Sequence, residues 1–291
     1  MGADGQVFIA KGINIQPNQA GISTILDKFP GLNAMRIPTS PSADQEALTT
    51  FVDSVVARGV VVIIEDHTSS GGNPNTSSGQ ALADECSWYK RLATKYLNNP
   101  LVWFGTANEP NNTSHLEEIP QQELAIYNAI RSTGSSTIVA LELRGGGYVD
   151  STLQFAGYFS AMTLVVWDCH FYGYLTGDYP TRGSGPYSTD NPTVVNALNT
   201  QIARLQTVRS ADGVVPVIVG EFGPSTSGLG TSKDANGTQV VQAVLSRGQG
   251  FCAWAWDAGS DNLTSRGKLT EFGRQVARRI AAQRPPQPPQ R

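Results

Sequence analysis

Glu109 and Glu221 are the residues of this chain best placed to do chemistry. Glu109 stands in Thr106-Ala107-Asn108-Glu109-Pro110, just after the apolar run Leu101–Gly105, and Glu221 directly ends Val217-Ile218-Val219-Gly220. A charge at the end of such a run is costly to bury without partners. Two carboxyl groups that face one another can cleave a glycosidic bond, which breaks through an oxocarbenium-like state. One protonates the leaving oxygen and the other acts on the anomeric carbon or on water. Arg36, inside another apolar run, is the candidate to keep Glu221 ionised. His67, His170, Tyr172, Trp254 and Trp256 also lie at or just beyond apolar runs, and Asn108 adjoins Glu109.

Other chemistries find little support. His67, His115 and His170 are scattered singly, with no H-x-H or H-E-x-x-H pair, so neither a metal nor another cofactor is expected. There is no G-x-G-x-x-G fingerprint, phosphate loop or nucleophile elbow. Cys86, Cys169 and Cys252 lack metal-site spacing and read as buried structural residues. A disulfide from Cys86 to one of the others would suit an exported protein and would leave one thiol over. The formal net charge is −3 and the basic residues form no cluster beyond Arg278-Arg279, which argues against nucleic acid or an anionic membrane and for an uncharged partner. No apolar run approaches the ~20 residues of a membrane span.

What must position the candidates is a repeated unit. Eight short apolar runs recur: Val7–Ile15, Ala34–Ile37, Val60–Ile64, Leu101–Gly105, Thr137–Leu143, Thr163–Trp167, Pro216–Val219 and Phe251–Trp256. Runs that are apolar throughout describe parallel strands buried on both faces. Helical patterns fall between and after them: Ala43–Arg58 with Ser42 as N-cap, Leu82–Leu97, Gln121–Thr133, Val194–Arg209, Gly237–Arg247 and Thr270–Gln283. This alternation predicts an α/β chain with a single (β/α)₈ TIM barrel over residues 1–284, in preference to an open doubly wound sheet. Active sites of such barrels lie at the C-terminal strand ends, where the candidates above fall. Residues 285–291 are Pro-rich, as at the start of a linker to a further module. Tyr174 and Tyr179, in the loop after the sixth run, are expected to wall a groove.

Thr106-Ala107-Asn108-Glu109-Pro110, His170-Phe171-Tyr172 and Gly220-Glu221-Phe222-Gly223 together resemble the signatures of glycoside hydrolase family 5, the cellulase and mannanase family, over about Val7 to Gln283. The resemblance implies a retaining, endo-acting β-1,4-glycoside hydrolase with Glu109 as acid/base and Glu221 as nucleophile. Asn108 would bond the sugar 2-hydroxyl, Tyr172 would donate to the nucleophile, His170 would sit near the acid/base and His67 near the sugar. Trp254 would be the sugar platform, with Trp256 packing or lining the cleft. Ile64-Glu65-Asp66-His67 is similar to a third-strand motif of bacterial mannanases, but Thr68 stands where those enzymes usually have Asp. Cellulose, mannan and mixed-linkage glucan stay open as substrates, as do exo action, transglycosylation and a non-catalytic carbohydrate-binding barrel. A monomer is expected. So is secretion, with the leader removed, because the first residues lack the apolar core of a signal.

Overall fold

The computed structural model describes residues 7–68, 78–97, 99–111, 115–172, 191–224, 233–259 and 261–282. Its eight apolar runs form β1 (Lys11–Asn14), β2 (Ala34–Thr39), β3 (Val61–Asp66), β4 (Val102–Ala107), β5 (Val139–Glu142), β6 (Val165–His170), β7 (Val217–Glu221) and β8 (Gly250–Ala253). All neighbours pair in parallel, and β8 closes onto β1 through Lys11↔Phe251, Gly12↔Cys252 and Ile13↔Ala253. That closure makes the fold a (β/α)₈ barrel and excludes an open sheet. Among the described residues the helices are α1 (Ile22–Lys28), α2 (Gln45–Val56), α3 (Gly79–Lys95), α4 (Glu118–Arg131), α5 (Val149–Gln154), α6 (Asn191–Leu205), α7 (Lys233–Ser246) and α8 (Glu271–Ala282). None is long and apolar enough to cross a membrane.

The structure departs from the sequence pattern in four places. Helices α1 and α5 are 7 and 6 residues long, too short to display a helical period, and went unanticipated. The N-cap of α2 is Asp44, which accepts from the backbone N–H groups of Glu46 and Ala47, while Ser42 pairs with Ser40. Strand β6 starts after Leu164, whose φ of 54° breaks the extended backbone, and runs on through Asp168 to His170. All three cysteines are free thiols and Cys86 is only half-buried, so the disulfide is not formed. The Pro-rich tail and Tyr174 and Tyr179 lie outside the described residues.

Side chains alternate along each strand, and this sorts the barrel into layers. Outward residues such as Met35, Ile37, Val62, Ile64 and Phe104 join Leu48, Val52, Trp88 and Leu92 of the helices in the main core. Inward residues form a second cluster that includes Ala34, Val61, Ile63, Trp103, Ala140, Val166, Ile218 and Cys252. One step further toward the C-terminal ends, the same inward parity delivers Arg36, Glu65, Glu142 and Asp168, all buried. Glycine leaves room for this charged layer: a Cβ on Gly220 would lie 1.8 Å from Asp168 Oδ1.

Two register shifts decide what reaches the mouth. Asp168 pairs with Ile218 but His170 with Glu221, and Ile64 pairs with Phe104 but Asp66 with Ala107, so β7 and β4 each carry one extra residue. With strict alternation Gly220 and Glu221 would face opposite ways. The irregularity turns both inward, as β-bulges beside active sites commonly do.

Candidate active site

The carboxyl groups of Glu109 and Glu221 meet across the mouth. One oxygen of each, together with a ring nitrogen of His170, forms a set in which every pair lies within 4.8 Å. Arg36 organises the surroundings from β2. Its Nη1 donates to Glu221 Oε1 at 2.6 Å and to Asn14 Oδ1 at 2.9 Å, and its Nη2 donates to Asn108 Oδ1 at 2.8 Å. Below, Nη2 also pairs with Glu65, and Nε lies 3.1 Å from Asp168 Oδ2. Because Oδ1 of Asn108 is taken by Arg36, the amide NH₂ is the donor end left for a ligand.

The other expected residues gather here. Tyr172 Oη donates to Glu221 Oε2 at 3.1 Å, so the two carboxylate oxygens have separate partners. His170 Nδ1 is 2.7 Å from Glu109 Oε1. His67 Nε2 lies 3.5 Å from Glu221 Oε1, and its ring stacks on Trp254 at 5.3 Å between centroids and 13° between planes. Trp256 does not share that surface. Strand β8 ends at Ala253, so alternation stops short of it, and Trp256 is buried against Phe29.

Glu109 has φ 43° immediately before Pro110, a conformation non-glycine residues rarely hold and one that costs about 1–3 kcal/mol. Gly146 fits tightly behind it: a Cβ there would lie 2.6 Å from Glu109 Oε1 and 2.7 Å from His170 Nδ1. Any side chain at 146 would push one of the two aside.

Burial favours the neutral form of Glu221, but His170 and Arg36 outweigh it and hold the carboxyl far below its usual range. His170 is pushed up to about 9: burial opposes its charge, and Glu221 and Glu109 overcome that. Glu65 rises to about 7, chiefly through burial, against the pull of Arg36. Burial, then Asp168 and Glu65, raises Glu142 well above the carboxylate range. The physical reason is a count of charges. Arg36 and His170 face Glu65, Glu142, Asp168 and Glu221, and two cations leave part of the acid layer to be neutralised by protons.

A family model for cellulase (glycosyl hydrolase family 5) matches residues 10–260.

The chain belongs to glycosyl hydrolase family 5.

An endoglucanase of Clostridium saccharobutylicum is 26% identical over 140 residues, 46% of this chain and 29% of that protein. Endoglucanase E-5 of Thermobifida fusca is 23% identical over 240 residues, 78% of this chain and 43% of that protein. The chain therefore spans less than half the length of either relative. The catalytic domain of a mannanase from Streptomyces sp. SirexAA-E shares the fold, with a TM-score of 0.68 at 18% identity over 94% of this chain and 85% of that one.

Four site residues of this family 5 chain escaped the sequence reading. Asn14 fixes Arg36 while donating to the carbonyl of Gly220 at 2.8 Å. Glu65 was noted only within a motif, and Glu142 and Asp168 not at all. The available signal was a charge at an inward position of an apolar strand, as in Val139-Ala140-Leu141-Glu142.

The titrations give a stability profile. His170, raised from 6.5 to about 9, contributes stability that is fully present below about 6.5 and lost as pH rises through 9. Glu65, raised from 4.5 to about 7, favours the folded state in its neutral form, and that advantage is lost between those values. Glu221 is depressed, so its contribution is present above 4.5 and lost only as pH falls far below it. The melting temperature is expected to be highest near pH 5 and to fall steadily toward pH 9. A scan across this range that rises or stays level would contradict these signs.

Proposed function

We propose that this chain is a retaining, endo-acting β-1,4-glycoside hydrolase that cleaves plant-type polysaccharides by double displacement. The observation that carries the reading is the approach of the Glu109 and Glu221 carboxyl oxygens to within 4.8 Å. Such closeness suits the about 5–5.5 Å of retaining enzymes and not the about 6.5–9.5 Å that leaves room for water in inverting ones.

Glu221, kept ionised by Arg36 and oriented by Tyr172, attacks the anomeric carbon while Glu109 gives its proton to the leaving oxygen. The departing alcohol leaves a glycosyl ester on Glu221. Glu109, now a carboxylate, takes a proton from water, which attacks the same carbon and frees Glu221. Trp254, stacked on His67, offers a floor for the apolar face of the sugar.

A cleft of about 330 Å³ lined by Gln16, Thr39, Ser40 and His67 runs into an open groove of about 570 Å³ lined by Asn18, Asp44, Glu46 and Thr50. This open trough suits a chain that continues beyond the cleaved unit, which favours endo action. A polymer of this kind cannot enter a cell intact, so the reading includes secretion.

The test is reducing-sugar release from carboxymethylcellulose, glucomannan, galactomannan and lichenan, with the anomeric form of the first product followed by NMR. Galactomannan cleavage identifies a mannanase, and activity confined to the glucans a glucanase. An inverted first product removes the double displacement. Binding without cleavage on all four would make this a carbohydrate-binding barrel, and longer products at high substrate would mark a transglycosylase.

A further inference from the structure

The double displacement does not use Glu142, yet Glu142 sits one residue pair away from it. At the end of β5 it is buried, its backbone N–H donates to Thr106 Oγ1 at 3.1 Å, and both its carboxyl oxygens lack a hydrogen bond among the described contacts. An acceptor left unpaired in such a place is costly. The nearest donors are His170 Nε2, 3.4 Å from Oε1, and Arg36 Nη2, 3.8 Å from Oε2.

His170 has the complementary problem. Its Nε2 is 3.1 Å from Arg36 Nη2, which can only donate, while Nδ1 lies 2.7 Å from Glu109 and 3.5 Å from Glu221. If Nε2 carries a proton it cannot direct it at Arg36. The protons of Arg36 Nη2 are already directed at Asn108 and Glu65. Glu142 is the group within reach that can accept the second imidazole N–H.

We propose that Glu142 is a positioning residue for the acid/base: its carboxyl accepts the Nε2–H of His170 and so holds that imidazole doubly protonated between Arg36 and Glu109. The inference rests on the glycosidase reading for its effect on turnover, though not for the proton itself. The raised titration of His170 agrees with it. A Glu142 kept neutral by burial, Asp168 and Glu65 still offers a carbonyl oxygen for the bond.

The charged groups facing this pair come from every side. They are Arg36 on β2, Glu65 on β3, Glu109 after β4, Asp168 on β6 and Glu221 on β7. Glu123 and Arg144 lie behind β5, where with Glu142 they line a cavity of about 10 Å³, room for about one water.

The chain has only three histidines, so ¹⁵N-imidazole NMR can follow His170 directly, with His67→Gln and His115→Gln assigning the other two. At pH 7, His170 should carry protons on both nitrogens in the wild type and in Glu142→Gln, whose amide keeps the carbonyl acceptor. In Glu142→Met, Nε2 should lose its proton and the imidazole its positive charge. Removing that positive charge beside Glu109 should move the alkaline limb of kcat/KM up by about one pH unit in the methionine variant and not in the glutamine one. Double protonation that survives in Glu142→Met overturns the proposal, as does a singly protonated His170 in the wild type. Should the methionine variant fail to fold, the wild type and Glu142→Gln decide: Nε2 protonated in both upholds it, and its loss in either overturns it. Because the spectra need no substrate, failure of the glycosidase reading would be seen separately.

Discussion

Glu221→Ala is expected to lower polysaccharide turnover by about four orders of magnitude or more, the scale on which loss of a covalent nucleophile acts in other enzymes, while the barrel stays folded. Folding survives because the guanidinium that loses Glu221 Oε1 keeps Glu65 and Asp168 against its other nitrogens. A buried cation with no remaining partner would be far more damaging. Loss of the carboxylate also vacates a space beside the anomeric carbon that a small anion can enter. With an activated aryl β-glycoside, azide should therefore restore turnover and yield an α-glycosyl azide, its nitrogen bonded to carbon from the side Glu221 occupied as the aryloxide departs. Kinetics alongside a melting curve, and NMR of the azide product, check both halves. Turnover near wild type, or a β-azide, would assign the nucleophile elsewhere.

How much of this site was legible in sequence depends on the kind of signal each residue sends. Glu109, His170, Tyr172 and Glu221 sit where an apolar run stops, and the barrel rule that chemistry gathers at C-terminal strand ends was enough to bring them to one mouth. Arg36 stood out as a cation inside an apolar run. Glu142 and Asp168 are of the same kind, yet strand boundaries hid them: Asp168 fell past an expected strand end at Trp167, and Glu142 lay inside a strand otherwise read as core. A period-2 reading from Val166 to Asp168, or from Ala140 to Glu142, would have placed both on the inner face beside Arg36.

Other features have no local signature. The register shifts that turn Glu221 inward arise from pairing between strands distant in sequence, and no single run encodes them. Trp254 and Trp256 show the opposite hazard. Strict alternation across Ala255 would put both on one face, but β8 ends at Ala253, so Trp254 reaches His67 while Trp256 enters the core. The fold was the most legible part because eight apolar runs with helical patterns among them admit few topologies, and the closing pair of β1 with β8 selects one.

Glu109→Ala should behave differently from Glu221→Ala, and the difference separates the two roles. On a polysaccharide, whose leaving group is a poor one, loss of the general acid should lower turnover by about 10²–10⁴-fold. On an aryl glycoside whose phenol ionises readily, the first step needs little protonation, so Glu221 can still form the glycosyl ester and the loss should shift to its hydrolysis, where Glu109 would have taken the proton from water. Azide needs no base to attack. It should therefore speed release of the ester and give a β-glycosyl azide, retained in configuration because two displacements have occurred at one carbon. The variants thus leave opposite stereochemical marks: α from Glu221→Ala through one displacement and β from Glu109→Ala through two. The β mark also requires that Glu221 remain in place when Glu109 is gone, which its bonds from Arg36 at 2.6 Å and Tyr172 at 3.1 Å provide without any contribution from Glu109. An α-azide from Glu109→Ala would exchange the assignments, and an equal loss on good and poor leaving groups would mean that Glu109 does not deliver the proton.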